Sequence, residues 1–149
     1  MDRATPQTRS IAERLIVIET LRNASPEAAV AVAFPAIDKL RPHLATLMGS
    51  GGVRALVGRS LALATTEVPW LRAVQVDTAG NLERLVALRG HLDPAEFLEG
   101  RVVLLARLLG LLVAFIGPSL TSRLVGEVWP QVPPKDRDFG KEQDREKAK

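Results

Sequence analysis

Between Arg107 and Arg123 the chain carries fifteen consecutive uncharged residues, LLGLLVAFIGPSLTS, and no other stretch constrains the fold as strongly. Such a segment must be shielded by lipid or by protein. A perpendicular membrane span needs roughly 20 predominantly apolar residues. This one is shorter, is interrupted by Pro118, and reaches span length only by drawing Arg107 and then Arg101 into the bilayer. Each such charge costs about 2.5–3.5 kcal/mol at the centre of a span. Burial among the protein's own helices is therefore the expected solution, and a membrane span is disfavoured.

Placed on a helical wheel, Pro94 to Gly117 puts Phe97, Leu98, Leu104, Leu105, Leu108, Leu109, Leu111, Leu112, Val113, Phe115 and Ile116 over more than half of the circumference. A helix apolar nearly all round has to be enclosed on several sides. The remaining arc holds Glu96, Glu99, Arg107 and a row of small residues four apart: Ala106, Gly110 and Ala114. A row of that kind lets a second backbone approach closely, within the domain or across a dimer. Packing within the domain is the preferred expectation, because most buried helices complete a core in cis.

The rest of the chain reads as further helices. Ile11, Leu15, Ile18 and Leu21 recur at three- and four-residue steps and predict an amphipathic helix over about 7–23. Ser25-Pro26 predicts a restart, with Pro suited to the first helical position. Pro35 should break that short helix after residue 33, and a further one over 36–48, bent near Pro42, should bury Ile37, Leu40, Leu44 and Leu47. After Gly49-Ser50-Gly51-Gly52 the helical period resumes to Thr66 with Val53, Leu56, Val57, Leu61 and Ala64. Val74 and Val76 then alternate with Gln75 and Asp77 ahead of the turn residues Asp77-Thr78-Ala79-Gly80-Asn81. This predicts a short hairpin near residues 73–83, with 82–89 open between a return strand and a short helix. Asp93-Pro94-Ala95-Glu96 is a capping box and starts the apolar helix. Gly117-Pro118 ends it, and a last helix runs over 119–129, with Leu120, Leu124 and Val128 on one face and Ser119, Arg123 and Glu127 on its neighbour. The expected fold class is thus all-α: a compact bundle of about five to six helices around a central apolar helix, over residues 1–130. The polar, doubly charged residues 131–149 should form a disordered or draped tail.

Composition fits one domain of 149 residues, whose aromatic content is 4% with no Tyr, so its core is aliphatic. Cysteine is absent, which excludes disulfides, thiolate metal sites and cysteine nucleophiles. The residues MDRATPQTRSIAERL lack the order of a signal peptide, and a cytoplasmic location is expected. A net charge of +3, with both signs interspersed and few aromatics, argues against nucleic acid as a partner.

Motifs for chemistry are sparse. Ser50, Gly51 and Gly52 before Arg54 form a candidate anion site, since backbone N–H groups at a helix start and a guanidinium both favour anions. No preceding strand, Walker lysine or dinucleotide spacing accompanies them, so a plain helix stop is the preferred reading. His43 and His91 stand apart from any HExxH-like pattern, and no GxSxG elbow occurs. Glu67, Asp77, Asp93, Glu96 and Glu99 sit where caps and solvated faces are expected. No catalytic residues, metal or cofactor are therefore assigned. Trp70 and Trp129, each at an element boundary, are candidate partner anchors or lids of the core. Pro130-Gln131-Val132-Pro133-Pro134-Lys135 fits a polyproline docking pattern, but a stiff spacer suits it better.

These features rank a helical interaction module first, an adaptor, regulator or self-associating domain with a protein partner or a homodimer. A sensor for a small molecule or lipid, with Arg54, Arg101 or Arg107 holding an acidic head group, ranks second. Peripheral membrane association through 108–129 ranks third.

Overall fold

The computed structural model describes residues 5–22, 34–78 and 80–139. The short helix expected to start at Pro26 lies outside the described residues. Among those described there are five helices and one two-stranded antiparallel sheet, so the fold is all-α as the sequence predicts.

Helix α1 spans Pro6–Arg22. Thr5 caps it, its Oγ1 accepting from the Thr8 N–H at 3.2 Å, and Pro6 takes the first helical position. Ile11, Ala12, Leu15 and Ile16 are buried. Helix α2 spans Pro35–Glu67, with Pro42 inside it. Its one non-helical residue is Gly49, at φ 75° and ψ 166°. The expected break therefore narrows to one glycine, and Ser50, Gly51 and Gly52 already belong to the second half of the helix. In that half Val53, Leu56, Val57, Leu61 and Ala64 are buried as their period predicts. Leu47 is not: the kink turns it outward and leaves it 53% exposed.

A 3-10 turn, Pro69–Ala73, leads into β1 (Gln75–Val76), which pairs with β2 (Leu82–Glu83) through Gln75↔Glu83 and Val76↔Leu82. Asp77 closes the turn, its Oδ1 accepting from the Asn81 N–H at 2.8 Å. Both readings of 82–89 are realised in succession, because Arg84, at φ 73°, separates β2 from the short helix α3 (Leu85–Arg89).

Helix α4, Pro94–Ile116, begins with the predicted capping box: the Asp93 side chain accepts from the backbone of Glu96, whose carboxylate in turn accepts from the Asp93 N–H. Every residue from Val102 to Leu109 is buried. Helices α1, α2 and α5 (Pro118–Val128) all pack on it. Gly117, at φ 88°, turns the chain from α4 to α5, and Thr121 Oγ1 donates back to its carbonyl at 2.8 Å. The apolar faces differ from the wheel at three points. Leu98 and Leu120 are each 43% exposed and Phe115 is 72% exposed, while α5 turns Thr121, Leu124 and Val125 inward.

The packed chain also continues past residue 130, where the tail was expected to begin. Val132 and Phe139 are buried, and a 3-10 turn forms over Pro134–Arg137. Gln7 Nε2 donates to the Asp138 carbonyl at 2.6 Å, and Arg137 Nη1 to that of Val132 at 2.5 Å. Two widely spaced apolar residues in a charged stretch suffice to hold it down, a signal that average composition conceals. Residues 140–149 lie outside the described residues. Among the described residues no helix is long and apolar enough to cross a membrane.

The two glycines of α2 separate backbone strain from helix propensity. A Cβ at Gly49 would touch no described atom within 4 Å, yet its φ of +75° disfavours any L side chain. Gly58 lies in ordinary helix with equal room. Gly49→Ala should therefore destabilise by about 1–2 kcal/mol, while Gly58→Ala should stabilise by about 0.5–1 kcal/mol. Urea denaturation of the two variants checks the opposite signs.

Candidate functional site

The sequence-predicted site residues are dispersed. Ser50 lines a shallow cleft of about 180 Å³ with Arg41, Pro42, Ala45 and Val53. The guanidinium there belongs to Arg41, which pairs with Asp38, and not to Arg54, which is solvent-exposed. Gly51 and Gly52 are helical, and a Cβ at Gly52 would run into Met48. Ser50, Gly51, Gly52 and Arg54 thus do not converge on one concavity.

The small-residue row of α4 divides. Ala106 is fully buried. Gly110 has no described atom within 4 Å of an added Cβ, and Ala114 is exposed. Among the described residues the outer two therefore meet no close helix, so the in-chain packing expected of the row holds only at Ala106.

The two tryptophans also differ from one another. Trp129 is fully buried and its Nε1 donates to Glu19 Oε2 at 2.6 Å. The same oxygen accepts from Lys39 Nζ at 2.7 Å, so the buried Glu19 carboxylate ties α1, α2 and the end of α5 together. Trp129 is thereby a core residue and not a surface anchor. Trp70 is half-buried; it stacks on Phe97 with centroids 5.9 Å apart, and its Nε1 donates to the Glu96 carbonyl at 3.2 Å. It lies so close to α4 that a Cβ at Gly100 would come within 2.2 Å of its ring. Trp70 acts as a lid on the start of α4.

The polar arc of α4 is closed by ion pairs between helices. Arg107 Nε meets Glu67 Oε2 at 2.7 Å, a largely buried pair that removes Arg107 from the candidate ligand-holding arginines. Arg9 of α1 donates to both oxygens of Glu99. That hydrogen-bonded guanidinium holds the Glu99 carboxyl below the usual carboxylate range, against the opposing effect of burial.

Arg101 differs from both. Its guanidinium lies 4.9 Å from the Phe97 ring centroid, and that of Arg89 lies 5.9 Å from the same centroid. Burial, reinforced by repulsion from Arg89, lowers the Arg101 pKa. Sequence reasoning noted Arg101 singly but missed the cluster. The Phe97 to Arg101 spacing of one helical turn was visible, whereas nothing in the sequence brings Arg89 across the loop to them.

The larger cleft, about 290 Å³, lies between the first half of α2 and α5. Leu47, Leu120 and the buried Leu124 supply apolar surface, and His43, Arg123 and Glu127 ring it. His43 engages the Lys39 carbonyl through Nδ1 at 3.3 Å. No three His, Cys, Asp or Glu residues among those described converge as a metal site would require. Comparison with known protein families, curated proteins and solved structures finds no match to this chain.

The Arg9–Glu99 pair gives a pH signature. Since the folded pKa of Glu99 lies below its unfolded value, the pair contributes stability above the ordinary Glu pKa of about 4.3, and this is lost as pH falls through the lower folded value. Both side chains are partly exposed, so Glu99→Gln should cost only about 0.2–1 kcal/mol at pH 7. The deficit should shrink towards pH 3. Paired thermal melts of the parent and the variant at the two pH values measure it, and a deficit that did not change would contradict the assignment.

Proposed function

We propose that this chain is a helical interaction module that pairs with a second copy of itself through the cleft between α2 and α5. The observation that carries the reading is the lining of that cleft: Leu47 and Leu120, 53% and 43% exposed, are flanked by Arg123 and Glu127. Exposed leucines beside a concave surface favour association, since covering them stabilises at roughly 25 cal/mol per Å².

Charge order supports a second copy as the occupant. Arg123 and Glu127 lie one helical turn apart on α5. In a two-fold pairing whose axis lies perpendicular to α5, the two α5 helices run antiparallel, so each Arg123 meets the other copy's Glu127. The rim is then its own complement, and any partner of a different sequence would have to reproduce that order. Complementary rim charges chiefly set register and partner choice, while the apolar surface supplies affinity. As a self-pairing module the protein would act by joining two copies of whatever it is attached to or bound by.

Light scattering coupled to size exclusion should give a dimeric mass that dissociates on dilution. Arg123→Glu should raise the dissociation constant at least about tenfold by placing like charges opposite each other. The double variant Arg123→Glu with Glu127→Arg should restore it, because the reversed order is again self-complementary. A monomeric mass at every concentration, or a double variant as weak as the single one, would overturn the reading.

A further inference from the structure

We infer that the end of the bundle where α2 kinks at Gly49 and α4 turns into α5 at Gly117 docks on the surface of an anionic lipid bilayer. The inference goes beyond self-pairing and does not rest on it.

Leu47, just before the Gly49 kink, and Leu120, just after the Gly117 turn, line one cleft, so the two corners belong to the same end of the molecule. Five large apolar side chains are exposed among the described residues, and three of them lie at this end: Phe115 at 72%, Leu47 at 53% and Leu120 at 43%. Phe115, the most exposed of the five, sits in the last turn of α4. An apolar tip of this kind is what a peripheral protein inserts at the boundary between head groups and acyl chains.

The charges identify the occupant. Residues 39–66 and 100–126, which meet at this end, contain no Asp or Glu, whereas both carry basic residues. Lys39, Arg41 and Arg107 are paired with Glu19, Asp38 and Glu67, and Arg101 stands over Phe97 near the opposite end of α4. Arg54, Arg59 and Arg123 remain, all exposed and without an ion pair among the described residues. At a rise of 1.5 Å per residue, Arg54 follows Gly49 by about 8 Å and Arg123 follows Gly117 by about 9 Å, with Arg59 about 15 Å from its corner. Two acids approach the same region. Asp77 is brought near by its hairpin turn, where Gly80 lies against the Arg54 backbone, and both its oxygens engage Asn81. Glu127 stands on the cleft wall one turn beyond Arg123.

An anionic bilayer complements both features at once. Its interior receives Phe115 and the leucines, and its head groups meet arginines set back by one or two helical turns. A nucleic-acid backbone would meet the arginines but leave both leucines in water, and three separated guanidiniums make few phosphate contacts. Docking needs only this tip, in keeping with the absence, among the described residues, of any helix long and apolar enough to cross a membrane. Leu47, Leu120 and Arg123 are shared with the α2–α5 cleft, so docking and self-pairing compete for them; Phe115, Arg54 and Arg59 do not line it.

The test sediments the full chain with vesicles of phosphatidylcholine mixed with phosphatidylserine, and with vesicles of phosphatidylcholine alone, at low and at high salt. Retention on the mixed vesicles that falls with salt is expected, with little on the neutral ones. Phe115→Ser should weaken it at least about tenfold by removing the largest inserted side chain. Arg54→Gln should weaken it about fivefold, the share of one basic residue at an anionic surface. Leu98→Ser, about 26 Å away along α4, should leave it within about twofold. Thermal melts confirm that each variant is folded. Light scattering should give Phe115→Ser and Arg54→Gln the same mass as the parent, whether or not the parent self-pairs, so loss of docking is read separately from loss of pairing. No retention on either vesicle, equal retention on both, or undiminished retention of folded Phe115→Ser would each refute the inference. So would tighter binding to a DNA duplex than to the mixed vesicles at the same salt.

Discussion

From Val102 to Leu109 α4 presents no face to water, and a helix in that position can exist only if other elements surround it. The remaining architecture follows from that requirement. Helix α1 and both halves of α2 supply walls, and α5 folds back from Gly117 to supply another. The kink at Gly49 is one of the devices that makes enclosure feasible, since a straight helix over 35–67 could not present Leu40, Leu44, Val53 and Leu56 to the same core while running past a helix of 23 residues. Aliphatic side chains dominate the interior, and the aromatic rings that do occur are placed where helices meet loops: Trp70 and Phe97 at the start of α4, Trp129 and Phe139 at the close of the chain's packing.

Enclosure on this scale traps polar groups, and two sets of them are matched between helices. Glu67 and Arg107 bury a charge pair between α2 and α4, and the Glu19 carboxylate receives both Lys39 and Trp129. Buried pairs of this kind add little net stability over an apolar isostere but penalise every arrangement that separates the partners. They set register: α2 cannot slide along α4 without exposing Arg107 to an apolar environment, nor can α5 detach without breaking the Trp129–Glu19 hydrogen bond. The polar contacts thus select one packing out of the many that a Leu- and Val-rich core would tolerate.

What could be read from the sequence was local. The Asp93–Glu96 box, the Gly117-Pro118 break, the hairpin turn at Asp77–Asn81 and the helical periods all depend on residues a few positions apart, and each appears in the structure where its pattern lies. What escaped were relations between distant positions. Nothing near Glu19 in the sequence marks it for burial, since its partner Trp129 lies 110 residues away. Leu47 and Leu120 had the right period for burial, but period specifies a face and not whether a neighbour is long enough to cover it. The candidate anion loop failed for a related reason: the glycines were correctly taken to interrupt a helix, yet only Gly49 does so, and the next residues return to helix before any cradle forms. The arginine pair over Phe97 needed a loop crossing that no spacing rule encodes.

The latch between α1 and the last packed segment has a consequence for how the chain acquires its structure. Gln7 reaches Asp138 and Glu19 reaches Trp129, sequence separations of 131 and 110 residues. During synthesis α1 is made well before either partner, and its apolar face has only nascent α2 to rest on until α4 follows. Contacts that span so much chain raise the contact order and slow the final ordering relative to a bundle of sequential hairpins. A ribosome-bound chain that has not yet exposed residue 129 would hold its first helix without its polar clasp, which makes that interval the one in which a chaperone or a second nascent copy would find α1 within reach.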